Sequence, residues 1–161
     1  MALGGIGPVA RLVGGGWRRA SAPGSPAAAE AAVAARTAGS PFRGAGAWDW
    51  HFDTDPTLLM RFSAATANAH RIHYDWPYAT RVEGCPGLVV HGPLMTLALA
   101  ETLRLEGRAE RVTRVGHRNN RPLFCGQPAR LRGRRTADGF ALDLLGPEAG
   151  TPCTSLTVTA R

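Results

Sequence analysis

The sequence predicts an α+β fold in which an antiparallel sheet curls around one long buried helix. Two observations carry that expectation. The stretch "GPLMTLALAETLRL", Gly92 to Leu105, has apolar residues on almost every side of a helix, at Leu94, Met95, Leu97, Ala98, Leu99, Ala100, Leu103 and Leu105. Such a helix belongs inside something. After it, "ERVTRVGHRNNRPLF", "QPARLRGRRTA", "GFALDLLG" and "CTSLTVTA" are short runs of period-two alternation separated by Gly, Pro and Asp turns. In the last run Leu156, Val158 and Ala160 face one way while Ser155, Thr157 and Thr159 face the other. With 161 residues and 44% hydrophobic content, the chain suits one compact domain with a real core.

Taken in order, residues 1–45 are Ala, Gly, Ser, Pro and Arg with little aromatic content, which cannot bury enough apolar surface to offset chain entropy. A disordered leader is expected there, with the folded domain at 46–161. The leader is basic and has no acid before Glu30, as in organellar transit peptides. Its many helix-breaking glycines suit a leader without targeting function equally well, so the expected location is cytoplasmic, with mitochondrial as the alternative. "WDWHF" then alternates like a short strand, and "DPTLLMRFSAATA" reads as a helix with Asp55 as N-cap and Pro56 in its first position. "HYDWPY" should be irregular, because β-formers precede a proline that disfavours helix before it. Following a turn at "EGCPG", Leu88 to Val90 resemble a short buried strand, Gly92 and Pro93 start the apolar helix, and Gly107 follows it as a C-cap.

All nineteen basic residues are arginine, so lysine chemistry is excluded: no Schiff base and no P-loop. The formal charge of +7 is concentrated in the leader, since residues 46–161 hold fourteen arginines against eleven acids. A nucleic-acid partner is therefore not expected. "RLRGRR", Arg130 to Arg135, reads as the wet face of a strand, with phosphate binding as the competing reading. Cys85, Cys125 and Cys153 are widely spaced and odd in number, which argues against a disulfide framework or zinc ribbon and fits a reducing compartment. No apolar run approaches the roughly 20 residues of a membrane span.

The chemistry-bearing residues crowd into "RFSAATANAHRIHYDWPYA", Arg61 to Ala79. A metal reading would use His70, His73 and Asp75 with His91 downstream, but the spacing HxxHxD is not specific. A structural reading has His and Tyr bonding backbone while Tyr74, Trp76 and Tyr78 pin the loop. An acid/base reading gains from "VVHGPL", where a helix N-terminus with Gly92 at its mouth follows the cluster. Free N–H groups at such a terminus stabilise a developing oxyanion, and a histidine base beside them is the minimal equipment for chemistry alpha to a carbonyl.

"FSAATANAHRIHYDWPYA" followed by "GLVVHGPLM" resembles the MaoC-like hydratase/dehydratase family of hotdog-fold proteins. With "YATRVEGCPGLVVHGPL" and "RPLFCGQP", it looks most like the branch containing mesaconyl-C4-CoA hydratase-like enzymes and mitochondrial 3-hydroxyacyl-thioester dehydratases, from about Trp48 to Arg161. The resemblance implies a single hotdog fold and, as substrates, acyl thioesters of coenzyme A or acyl carrier protein, with water added to or removed from a 2-enoyl group and no metal or other cofactor. It puts the catalytic histidine on His73 and the catalytic aspartate on Asn68, a departure, since an amide cannot take up a proton as a carboxylate does. His70 and Arg71 also stand where the broad signature has Asn and Pro. Asn68 is then left to orient water or hydroxyl, and the Gly92 N–H to hold the thioester oxygen. His91, Arg71, Tyr74 and Arg121 are the candidate substrate-binding residues, the arginines for the phosphates. Members of this branch often carry two hotdog units and this sequence has the motif-bearing one, so a homodimer is expected, with a fragment of a two-unit protein as the alternative. Two other readings stay open: a catalytically weak acyl-thioester-binding subunit and a hotdog thioesterase.

Overall fold

The computed structural model describes residues 39–161. Within them lie β1 (Phe42–Gly46), β2 (Asp49–Phe52), α1 (Pro56–Ala65), α2 (Gly92–Leu105), β3 (Val112–Asn119), β4 (Arg130–Thr136), β5 (Gly139–Leu145) and β6 (Thr154–Ala160). The strands form one sheet in the order β1-β2-β4-β5-β6-β3, with every neighbouring pair antiparallel. β1 starts at Phe42, ahead of the expected boundary at residue 45, because Phe42 supplies an apolar ring that stacks on Phe52 at 5.4 Å while the two residues pair in register. Residues 1–38 of the expected leader lie outside the described residues.

Helix α2 presses Leu94, Met95, Ala98, Leu99 and Thr102 against the inward residues of the sheet, among them Leu131, Phe140, Leu142, Leu144, Leu156 and Val158. The spacing of that buried stripe is helical and that of its partners is two, so each element's periodicity selects the side chains that meet. Among the described residues, however, only one side of α2 is covered. Leu97 is 56% exposed, and all eight residues of β3 are exposed at the sheet's outer edge. The far end of α2 is tied to the β1–β2 hairpin by Glu106, which accepts hydrogen bonds from Trp48 N (2.9 Å) and Trp50 Nε1 (2.7 Å). Gly133 is required opposite this hairpin, since a Cβ there would strike the Trp48 ring.

The short strand expected at Leu88–Val90 is a buried extended segment with an isolated bridge between Val89 and Phe124, reinforced by Val90 N to Leu123 O (2.8 Å) and Cys125 N to Leu88 O (2.8 Å). This segment delivers the chain to the N-terminus of α2. No described helix is long and apolar enough to cross a membrane.

Candidate active site

The site is assembled by three pieces of chain that end near one another: α1, the turns that follow it, and the segment entering α2. Asp55 caps α1 by accepting from Leu58 N at 2.7 Å, with Pro56 at its start. Thr66 and Ala67 (φ 51°) end it, and the chain folds back with Asn68 N donating to Ser63 O at 2.9 Å. The Asn68 side-chain oxygen then accepts from His70 N (3.0 Å), which launches a short 3₁₀ turn, Arg71–His73. A π-helical turn, Tyr78–Val82, comes next, its start held by Asp75 Oδ1 accepting from Tyr78 N at 3.0 Å. The irregularity expected around "HYDWPY" is thus a pair of tight turns with polar side chains as their fasteners.

His73 sits at the end of the first turn and is 8% exposed. Its Nδ1 lies 2.7 Å from the Val89 carbonyl oxygen, while Val89 N donates to Ile72 O at 3.0 Å, so the turn and the segment before α2 clasp each other. A carbonyl only accepts, which places the ring proton on Nδ1 and leaves Nε2 with a free lone pair. Burial pushes the His73 imidazole below the usual histidine range, against the opposing pull of the Val89 bond, and His70 lowers it further. Burial therefore favours the neutral form of the His73 ring at neutral pH.

His91 occupies the N-cap position of α2 without making a side-chain cap bond. It is 1% exposed and stacks on His73 with ring centroids 3.7 Å apart and planes 18° from parallel. Its Nε2 is 2.8 Å from Ser63 Oγ, Phe62 meets its ring at 4.8 Å, and its Nδ1 is buried without a hydrogen-bond partner. Burial first, and the neighbouring His73 second, pull the His91 pKa down to about 4. Such burial gives it a place beneath His73 instead of at an open binding surface. Gly92 follows as the first residue of α2, whose opening N–H groups have no partner within the helix. A Cβ at Gly92 would lie 2.6 Å from Asn119 Nδ2 and would require that amide to move, although its oxygen accepts from Thr154 Oγ1 at 2.9 Å.

Beside these residues is an open, mainly apolar depression of about 360 Å³ between α1 (Met60, Ser63, Ala64) and the turn after it (Ala67, Asn68, Tyr74). Ser63 joins the two features, lining the depression and touching His91. Asn68 and Tyr74 lie on the depression, and the Tyr74 hydroxyl donates to Ala69 O at 2.8 Å. Arg71 has other engagements: it pairs with Asp75 at 2.7 Å and lies 4.3 Å over the Tyr78 ring. Arg121 likewise bonds Glu148, at 2.7 Å to its carboxylate and 3.1 Å to its backbone oxygen. Among the described residues no three His, Cys, Asp or Glu side chains gather into a metal-binding group. Ser63, the Val89 carbonyl and Asn119 were not singled out from the sequence. Ser63 had a signal, being a polar residue four positions after Leu59 on the buried side of α1, where it needs a partner.

The model of the family described as hydroxyacyl-thioester dehydratase type 2 matches residues 27–125, more than half of the chain. The chain belongs to that family. As a member of the hydroxyacyl-thioester dehydratase type 2 family it is 48% identical over 97 residues to the mesaconyl-C(4)-CoA hydratase of Chloroflexus aurantiacus, covering 60% of this chain and 34% of that protein. It is 35% identical over 104 residues to the mitochondrial hydroxyacyl-thioester dehydratase type 2 of Schizosaccharomyces pombe, covering 61% and 35%. The chain thus spans about a third of the length of the curated relatives it matches. Among solved structures, HtdX of Mycobacterium tuberculosis superposes with a TM-score of 0.58 at 25% identity, over 69% of this chain and 44% of that one. The R-hydratase PhaJ1 of Pseudomonas aeruginosa gives 0.58 at 16% identity, over 70% and 77%. The fold of this family member is the hotdog fold, with α2 as its central helix.

Proposed function

We propose that the chain bears the active site of a hydro-lyase that adds water to 2-enoyl thioesters, or removes it from 3-hydroxyacyl thioesters, of coenzyme A or acyl carrier protein. The observation that carries this reading is His73: a buried, neutral imidazole whose Nδ1 is committed to the Val89 carbonyl, leaving Nε2 to move a proton. In hydration, Nε2 takes a proton from water as the water oxygen bonds to C3 of the enoyl group. The double-bond electrons pass toward the thioester oxygen, where the Gly92 N–H is the donor for the enolate charge. The imidazolium returns its proton to C2, so the sum is addition of one water without redox change or added cofactor. Asn68, on the depression beside Ser63, orients the water or the hydroxyl, and the mainly apolar lining suits an acyl chain. Family membership and the names of both curated relatives support the same class of reaction.

Asn68 favours a second reading, a weakly active subunit that binds acyl thioesters, because its amide supplies no second proton acceptor. Crotonyl-CoA separates the possibilities. Loss of enoyl absorbance without thiol release is the expected result; thiol release alone would indicate a thioesterase, and neither would leave the binding subunit. The assembly proposed is a homodimer, since exposed β3 and the bare side of α2 at Leu97 present one continuous edge that a second copy can cover. Sedimentation of the full chain as a stable monomer would overturn that assembly.

A further inference from the structure

The acid/base reading uses one ring of the His73–His91 stack and gives the other nothing to do. His91 is almost fully buried, it does not cap α2 through its side chain, and its ring's one hydrogen bond is with Ser63 on α1. The His73 ring is held by a single hydrogen bond as well, from Nδ1 to the Val89 carbonyl. One such bond leaves an imidazole free to rock about it. A parallel ring 3.7 Å away removes that freedom through contact across the whole face.

The same contact has an electrostatic side. The Nδ1 of His73 is held by a carbonyl and not by a carboxylate, so a proton taken at Nε2 makes an imidazolium supported by the Val89 oxygen and the face of His91. An aromatic face attracts a cation, provided the ring beneath is itself uncharged. The titratable groups facing His73 are His91 and His70, whose ring lies 6.0 Å away across an edge contact. Burial and the Ser63 contact hold the His91 ring in place as a neutral surface.

We infer that Ser63 and His91 are positioning residues for His73: Ser63 locks the His91 ring, and the face of that ring holds the His73 imidazole with Nε2 open and supports its charge when it is protonated. This assignment rests on the hydro-lyase reading above. It predicts that what matters at position 91 is an aromatic face, not an imidazole.

The experiment uses the full chain as parent, His91→Leu, His91→Phe and Ser63→Ala, with two readouts: the pH profile of kcat/KM for crotonyl-CoA hydration, and an NMR titration of the His73 ring without substrate. His91→Leu should lower kcat by roughly 10²-fold, the usual scale for a misplaced catalytic group. It should also move both the acid limb of the profile and the His73 midpoint to lower pH, because the imidazolium loses its aromatic support. His91→Phe should retain more turnover than His91→Leu and keep the His73 midpoint near the parent's. Ser63→Ala should cost less than His91→Leu, with the loss in kcat larger than any change in KM. A folded His91→Leu with the parent's kcat and His73 titration overturns the inference and leaves the reaction reading intact. If that variant does not fold, a Ser63→Ala equal to the parent in rate and titration overturns it. A parent without hydratase turnover overturns the reaction reading instead, and the substrate-free titration still decides whether the stack tunes His73.

Discussion

The polar stretch after α1 divides into two parts with opposite chemical characters. In the first, Arg71 pairs with Asp75, Asp75 accepts from Tyr78 N at the start of the π-helical turn, and the Tyr78 hydroxyl donates to Glu83 at 2.7 Å. Between Ser63, His73 and His91 the polar groups are buried and incompletely satisfied, with a lone pair left on one imidazole and an unpartnered nitrogen on the other. Position in the chain does not separate the two groups, because His73 lies between Arg71 and Asp75. What separates them is whether the hydrogen-bonding capacity of each side chain is exhausted within the protein. The first group fastens a loop, and the second keeps unspent hydrogen-bonding capacity.

The largest effect is expected at His73. His73→Ala should lower turnover by ~10²-fold or more while the protein remains folded, as expected for loss of the proton-transferring group. Crotonyl-CoA hydration together with a thermal melt measures both, and turnover within a few-fold of the parent would remove His73 from the role. Asn68 comes next in expected effect. Asn68→Ala should lose activity because nothing then orients the water, while Asn68→Asp, of nearly the same shape, should keep or raise it by adding a proton acceptor. Equal rates for parent and Asn68→Ala would leave the amide with no part in positioning.

A stability measurement sharpens the contrast without any substrate. Both buried histidines have pKa values below those of the unfolded chain, His91 down to about 4 and His73 lowered by burial. As pH falls from the ordinary histidine range toward 4, the unfolded chain binds protons that the folded chain refuses, so folding stability falls across that window and is fully present above it. Denaturant melts from pH 7 to pH 4 should show the decline, and His91→Phe should flatten it. An unchanged slope in that variant would mean that His91 is not held neutral.

The smallest effect is expected in the loop-fastening part. Arg71 and Asp75 form an exposed pair, so Asp75→Asn should shift the thermal midpoint only slightly, and the shift should shrink further in high salt. A large, salt-independent loss would show that the turn depends on this pair far more than its exposure suggests.

Legibility differed in the same way across the rest of the molecule. Periodicity announced α2 and the strands β2, β4, β5 and β6, because each puts one face against a common core and that constraint writes itself into spacing along the chain; β3 was legible by its alternation alone, since all of its residues are exposed. The Asp55 cap and Pro56 start of α1 were equally local, being satisfied within one helical turn. β1 was hidden in a compositionally poor stretch, since it rests mainly on pairing with β2 and on one ring against Phe52. Of the site, the motif carried His73, Asn68, His91 and Gly92 as identities.

Their roles depended on contacts no spacing contains. His91 lies under His73, and not at an open surface, because the Val89 segment and the 3₁₀ turn bond each other across sixteen residues of chain. Ser63 reaches His91 from a different helix, twenty-eight residues away in sequence. Asn119 meets Gly92 because β3 runs beside the start of α2. Local periodicity and chemistry set which elements carry an apolar face and which residue types are present to move a proton, but not which sides are covered, as exposed Leu97 shows. Only the tertiary structure decided which polar atoms meet a partner and which are left open, because hydrogen bonds are short and directional and form between groups that folding alone brings within about 3 Å.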